Sequence, residues 1–212
     1  KLLQFGLPFF PAAIFFLIME MSDRYFLLWL LNDSNSLSTV GIYSIGYKIG
    51  SISMLLITSF NLGWQPFYNR IGTSKDASKT FAQIGSYFIF FIISICVIIT
   101  FWTPIIMRLN IGGSYLIGKD FWGAYDIIPI ILLAYIFYAL YIVSMPAMYI
   151  FEKQNWSPIF RGTGAIVNII LNIILIPIIG IYGAAISTAI SYGVMAGFIY
   201  YKSNQWMQVP YK

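Results

Sequence analysis

The sequence predicts an all-α integral membrane protein whose helices cross the bilayer six times, and three observations predict it. Hydrophobic residues make up 59% of the 212-residue chain and charged residues only 9%, where a soluble domain carries about 25% charged residues. The mean hydropathy is +0.81, so polar side chains are too few to cover a globule of this size. Apolar stretches of about 20 residues, the length that spans a bilayer as helix, recur six times, at 2–31, 40–62, 81–107, 125–151, 158–178 and 181–201.

The first stretch is longer than one crossing requires, so it must tilt, kink or project. Pro8 and Pro11 near its start are candidate kink sites, since a proline inside a helix loses a backbone hydrogen bond. The short connection 32–39 makes the first two helices an antiparallel hairpin. The second stretch runs into Trp64-Gln65-Pro66-Phe67, an aromatic interface anchor followed by proline that reads as a helix stop. Only two connections are long, 65–80 and 108–121. Lys119, Asp120, Trp122 and Asp126, in and after the second of them, read as an ordinary solvated loop. Pro104, Pro129, Pro146 and Pro177 either bend the later helices or mark their ends. In the fifth stretch Asn168 and Asn172 lie one turn apart on one face, suited to interhelical hydrogen bonding or to lining a cavity, and Arg161 near its start is placed to meet lipid phosphates. The sixth carries Gly183, Ser187 and Ser191 at four-residue spacing, a small-residue stripe that lets membrane helices approach closely.

Lysine and arginine counts set orientation. If the chain starts on one side, that side collects Lys1, Arg70, Lys75, Lys79, Lys153, Arg161, Lys202 and Lys212, and the opposite side only Arg108 and Lys119. Both ends of the segment are therefore expected in the cytoplasm. The chain begins at Lys1 and runs straight into apolar sequence without a signal-peptide pattern, which reads as a piece of a longer membrane protein.

Ionisable residues inside an apolar segment are costly and by default raise a functional hypothesis. Glu20, Asp23 and Arg24 lie between Phe15-Phe16-Leu17-Ile18-Met19 and Phe26-Leu27-Leu28-Trp29. Glu20 precedes Arg24 by four residues, the favoured order for a helical ion pair. Arg24 stands about seven residues before the end of its helix and Lys48 about eight after the start of the next, so both lie on the order of 11 Å below the same surface. Three readings follow: a cationic patch lining a water-filled cavity that receives an anionic head group, mutual neutralisation of Glu20, Asp23, Arg24 and Lys48 between helices, or basic side chains snorkelling to the interface. Tyr43 and Tyr47, one turn apart beside Lys48, would stack on sugar faces or anchor the interface.

Catalytic signatures are missing. The chain has no histidine, the usual general base at neutral pH, and neither zinc-ligand spacing nor a Gly-x-x-x-x-Gly-Lys phosphate loop. Its single cysteine, Cys96, lies in an apolar run. An enzyme, a metal site, a cofactor or a nucleic-acid partner is not expected.

Gly6-Leu7-Pro8, Ser22-Asp23-Arg24-Tyr25-Phe26, Val40-Gly41-Ile42-Tyr43-Ser44 and Trp64-Gln65-Pro66-Phe67, followed by Asn168-Ile169-Ile170-Leu171-Asn172, Ile176-Pro177 and Gly180-Ile181-Tyr182-Gly183-Ala184-Ala185, occur in an order that resembles bacterial polysaccharide flippases. These belong to the superfamily of multidrug, oligosaccharidyl-lipid and polysaccharide exporters. The resemblance covers nearly the whole chain. It implies the second six-helix lobe of a two-lobe transporter in the bacterial cell membrane, working by alternating access and completed by a first half of the same chain. The implied substrate is a polyprenyl-diphosphate-linked oligosaccharide, flipped for O-antigen, capsule or exopolysaccharide assembly, with membrane lipids and the polymerase machinery as further partners. By the same analogy Arg24 and Lys48 would face the diphosphate; Glu20, Asp23, Tyr47, Asn168 and Asn172 are further candidate substrate-binding residues. Two alternatives remain. A cation-coupled exporter of drugs or another lipid-linked precursor would keep carboxylates deep in the lobe without basic partners. A scaffold of a polysaccharide assembly complex would have no hydrated route to Arg24 and Lys48.

Overall fold

In hydrocarbon a backbone has no water to bond, so a long apolar run is stable only as helix, where every N–H and C=O is satisfied within the segment. The structure, a computed structural model, describes residues 6–31 and 36–211 and is 86% helical, with seven α-helices. In chain order these are α1 (Phe9–Leu31), α2 (Ser36–Ile71), α3 (Ala77–Met107), α4 (Ile128–Val143), α5 (Pro146–Ile150), α6 (Ser157–Ile179) and α7 (Ile181–Trp206). Between α3 and α4 lie a hairpin of two two-residue strands, β1 (Asn110–Ile111) and β2 (Ser114–Tyr115), and a 3-10 turn over Lys119–Asp126.

Five helical segments among the described residues are long and apolar enough to cross a membrane: α2, α3, α4 with α5, α6 with its preceding turn, and α7. The first helix differs for one reason. Any 18-residue stretch of its 23 residues contains Glu20, Asp23 and Arg24, three charges where the other spans carry at most two.

The expected boundaries shift: α2 starts at Ser36 rather than 40, α3 at Ala77 rather than 81, and α7 runs to Trp206 rather than 201. The start of the first stretch, 2–5, and part of the first connection, 32–35, lie outside the described residues. Pro8 immediately precedes α1 and Pro11 lies in its first turn, so both mark a helix start, where a missing N–H costs nothing. Trp64-Gln65-Pro66-Phe67 is not a helix stop. The second helix passes through Pro66 to Ile71, because Trp64 and Tyr68 on either side of the proline are buried. Trp64 packs edge-on against Phe81 of α3 at 5.6 Å and against Tyr68 at 5.9 Å. At 1.5 Å per residue α2 is about 54 Å long and projects well beyond the hydrocarbon.

The stretch expected as one helix over 125–151 is broken. Pro129 sits in the first turn of α4, and α4 stops at Val143 before α5 restarts at Pro146. Proline takes away one donor and clashes with the carbonyl four residues back, and the freed carbonyls find side chains instead. Tyr211 Oη donates to Val143 O at 2.9 Å, and Ser203 Oγ donates to Ser144 O at 2.7 Å. Burial and the neighbouring Tyr200 push the Tyr211 phenol well above its ordinary range, so it stays protonated as the donor. A broken membrane helix is tolerated where neighbours satisfy it in this way.

The most extensive helix contacts are α6 with α7, α1 with α6, and α4 with α7. The α6–α7 corner turns on one residue, Gly180, at φ +57°. Three residues later a Cβ at Gly183 would stand 2.6 Å from the Leu175 backbone, so only glycine fits the crossing. Ser187 and Ser191 turn their hydroxyls onto the carbonyls of Gly183 and Ser187, at 2.7 and 2.5 Å, which leaves the expected small-residue face flat and buried. By contrast α3 is peripheral. From Tyr87 to Ile106 its exposed positions, among them Phe90, Val97, Phe101 and Ile105, are all apolar, as a lipid-facing surface requires.

Candidate functional site

Asp23 is completely buried and ties four helices together. From α2, Tyr43 Oη donates to its Oδ2 at 2.5 Å, and from α7 Thr188 Oγ1 donates to the same oxygen at 2.7 Å. From α6, Asn172 Nδ2 and Asn168 Nδ2 donate to Oδ1 at 2.8 and 3.3 Å. Asn168 Oδ1 in turn accepts from Ser22 Oγ at 2.8 Å and from Asn172 Nδ2 at 3.0 Å. All the donors to the carboxylate are neutral. One acceptor, Asn172 Oδ1, is buried without a partner.

One turn away, Glu20 and Arg24 do not form the side-chain ion pair their spacing favours. Arg24 Nη1 donates to the Glu20 backbone carbonyl at 2.9 Å, and the Glu20 carboxylate instead accepts from Tyr192 Oη of α7. The Arg24 guanidinium lies 4.6 Å over the Tyr47 ring, an aromatic face that attracts it through the ring quadrupole. Among the described residues the only ion pair is the exposed Lys79–Asp76, and no side-chain ion pair joins Glu20, Asp23, Arg24 and Lys48. The tyrosine at α2 wins because α1 packs more closely on α6 than on α2, which turns the two carboxylates toward α6 and α7 and leaves Arg24 facing α2.

The residues expected at the site thus separate into two groups. Glu20, Asp23, Asn168 and Asn172 are brought together between α1, α6 and α7, and the two asparagines bond rather than line a cavity. Arg24 is half-buried, and Lys48, next to the tyrosine that carries Arg24, is exposed. Tyr43 and Tyr47 are buried, at 0% and 4% exposure, and are not free to stack on a sugar in this conformation. Tyr47 rests edge-on against Tyr135 at 6.1 Å. Sequence reasoning missed Thr188, Ser22 and Tyr192 as partners. A threonine within a small-residue stripe and a tyrosine in an apolar helix carry no local signal of a carboxylate 165 or 172 residues away.

Lys48 begins a distinct face of α2. The exposed residues that follow at helical spacing are Ile52, Leu55, Thr58, Ser59, Leu62, Gln65 and Asn69, a mixed polar surface where α3 from Tyr87 to Ile106 presents only apolar side chains. Comparison with protein-family models, curated proteins and solved structures returns no match. The site therefore rests on its own geometry: Arg24 on an aromatic platform, Lys48 at the head of a mixed polar helix face, and a buried carboxylate held by neutral donors. Because α2 starts at Ser36 rather than at 40, Lys48 lies twelve residues inside it rather than level with Arg24.

Proposed function

We propose that this chain is one lobe of a two-lobe bacterial membrane transporter that flips polyprenyl-diphosphate-linked oligosaccharide for surface polysaccharide synthesis, without catalysing a reaction. The observation that carries this reading is that two cations on adjacent helices, Arg24 and Lys48, have no carboxylate paired to them among the described residues, with Lys48 at the head of the mixed polar α2 face. A cation inside an apolar segment without a counter-ion is expensive, and an anionic diphosphate would supply the missing charge. In this reading α1 is the sixth membrane span, its charges accommodated by Tyr43, Thr188, Asn172 and Tyr192 on neighbouring helices. The α2 face lines the route shared with the other lobe, α3 faces lipid, and both ends of the segment lie in the cytoplasm of a cell-membrane protein.

Asp23 favours a second element of the reading, coupling to a cation or proton gradient. Its donors are all neutral and Asn172 Oδ1 stands unpartnered beside it, so a carboxylate without a basic partner lies deep in the lobe. Replacing Arg24 or Lys48 with alanine in the complete protein tests the main reading. Surface polysaccharide should fall at normal protein abundance, and unchanged export in both variants would sink the cationic-patch mechanism. Asp23→Asn tests coupling, since transport should lose its dependence on the ion gradient while the protein stays folded.

A further inference from the structure

We propose that Arg161, with Tyr141 and Ser157, forms a second anion subsite that takes the phosphate group of a membrane lipid at the opposite end of the lobe from Arg24. This deepens the transport reading and rests on it for the direction of movement, but the subsite stands on separate residues.

Arg161 is the fifth residue of α6 and half-buried. Its guanidinium lies 5.2 Å from the Phe16 ring centroid of α1 and 5.9 Å from that of Tyr141 of α4. A guanidinium offers five N–H donors, yet Arg161 has only a long contact from Nη1 to Ala12 O at 3.4 Å. Its Nε is buried without an acceptor, and no carboxylate pairs with it among the described residues. Two more groups nearby are unpartnered. The Tyr141 hydroxyl belongs to a fully buried side chain, and the Ser157 hydroxyl, 1% exposed as a residue, sits one turn before Arg161 on the same side of α6. One cation and two hydroxyls without acceptors complement a group made only of acceptors, which is the chemistry of a phosphate oxyanion.

Depth selects a lipid as the carrier. Arg161 stands about 6 Å inside the end of a helix roughly 35 Å long, which in a bilayer with a hydrocarbon core of about 30 Å is a few ångströms inside the hydrocarbon boundary, a depth from which a long basic side chain reaches the head groups. Ala12, which Arg161 touches, and Arg24 are twelve residues apart on α1, or about 18 Å along its axis. Arg161 therefore receives a head group at one leaflet, and Arg24 lies about 18 Å further across the bilayer.

The test is binding of farnesyl diphosphate, phosphatidylglycerol and inorganic phosphate to the complete protein in neutral detergent, measured by calorimetry for wild type, Arg161→Ala, Arg161→Lys, Tyr141→Phe and Arg24→Ala, with Lys79→Ala as control. Farnesyl diphosphate should bind Arg161→Ala at least tenfold more weakly, Arg161→Lys less so, and Tyr141→Phe about threefold more weakly, with Lys79→Ala unchanged. A loss confined to farnesyl diphosphate assigns the subsite to an isoprenoid carrier. An equal loss for phosphatidylglycerol assigns it to bulk lipid, and both outcomes support a lipid phosphate. A loss seen only with inorganic phosphate, or undiminished lipid binding in folded Arg161→Ala, would overturn it. If Arg161→Ala fails to fold, Tyr141→Phe and Arg161→Lys decide by the same criteria. A loss in Arg24→Ala but not Arg161→Ala keeps the transport reading and removes the subsite, and the reverse pattern keeps the subsite and removes the patch.

Discussion

Four neutral donors converge on Asp23, a carboxylate with no exposed surface, and each of them sits on a helix other than its own. Interhelical hydrogen bonds in membranes average about 0.6 kcal/mol, so Asp23→Ala, which removes the acceptor of all four bonds, should lower stability by roughly 2 kcal/mol. Denaturant titration of the purified protein measures this, and an unchanged midpoint would show that the network contributes nothing. Arg24 makes a different demand. Its partner is the face of Tyr47, so Tyr47→Phe should leave stability and function near wild type. Tyr47→Leu removes the ring and should cost about 0.5–1 kcal/mol in the same titration. Equal effects of the two substitutions would mean that the hydroxyl, not the ring, matters.

Among the elements, α7 and the α4–α5 break depend most on fit. A leucine at Gly183 would place its Cβ 2.6 Å from the Leu175 backbone and force α6 and α7 apart, so Gly183→Leu should leave little folded protein in the membrane, as quantified by detergent-extracted monodisperse material. The break before Pro146 is held from elsewhere, by Ser203 and Tyr211. These donors lie 59 and 68 residues downstream of the carbonyls they satisfy; Pro146 locally reads as a bend or a helix end, and only these distant partners make it a break at Ser144. The same limit explains Pro66. A proline reads locally as a stop, whereas Trp64 and Tyr68 hold the chain helical by contacts that only the folded lobe contains. The small-residue stripe of α7 and the spans themselves were legible, because their signal lies in composition and spacing. Single cysteines on the two exposed faces separate hydrated from lipid surface, with Cys96 first replaced by serine. Positions 55, 59 and 62 on α2 should react with a water-soluble maleimide in intact membranes, and positions 90, 97 and 101 on α3 should not. Equal protection of both faces would place α2 against lipid.

For the whole molecule, the sequence made the charged hairpin conspicuous, since Glu20, Asp23, Arg24 and Lys48 are rare charges in apolar surroundings. It did not show how they divide. Folding sends Asp23 and Glu20 inward to Tyr43, Asn168, Asn172, Thr188 and Tyr192, and leaves Arg24 over Tyr47 and Lys48 exposed on α2, neither paired to a carboxylate among the described residues. That division of charge underlies the proposed route for an anionic head group. The most direct test is reconstitution of the complete protein in proteoliposomes, following the rate at which a prenyl-diphosphate-linked disaccharide becomes accessible at the opposite leaflet. At equal protein incorporation, Arg24→Ala with Lys48→Ala should slow that rate at least tenfold, while Lys79→Ala leaves it unchanged. Translocation by the double variant at the wild-type rate would contradict the account.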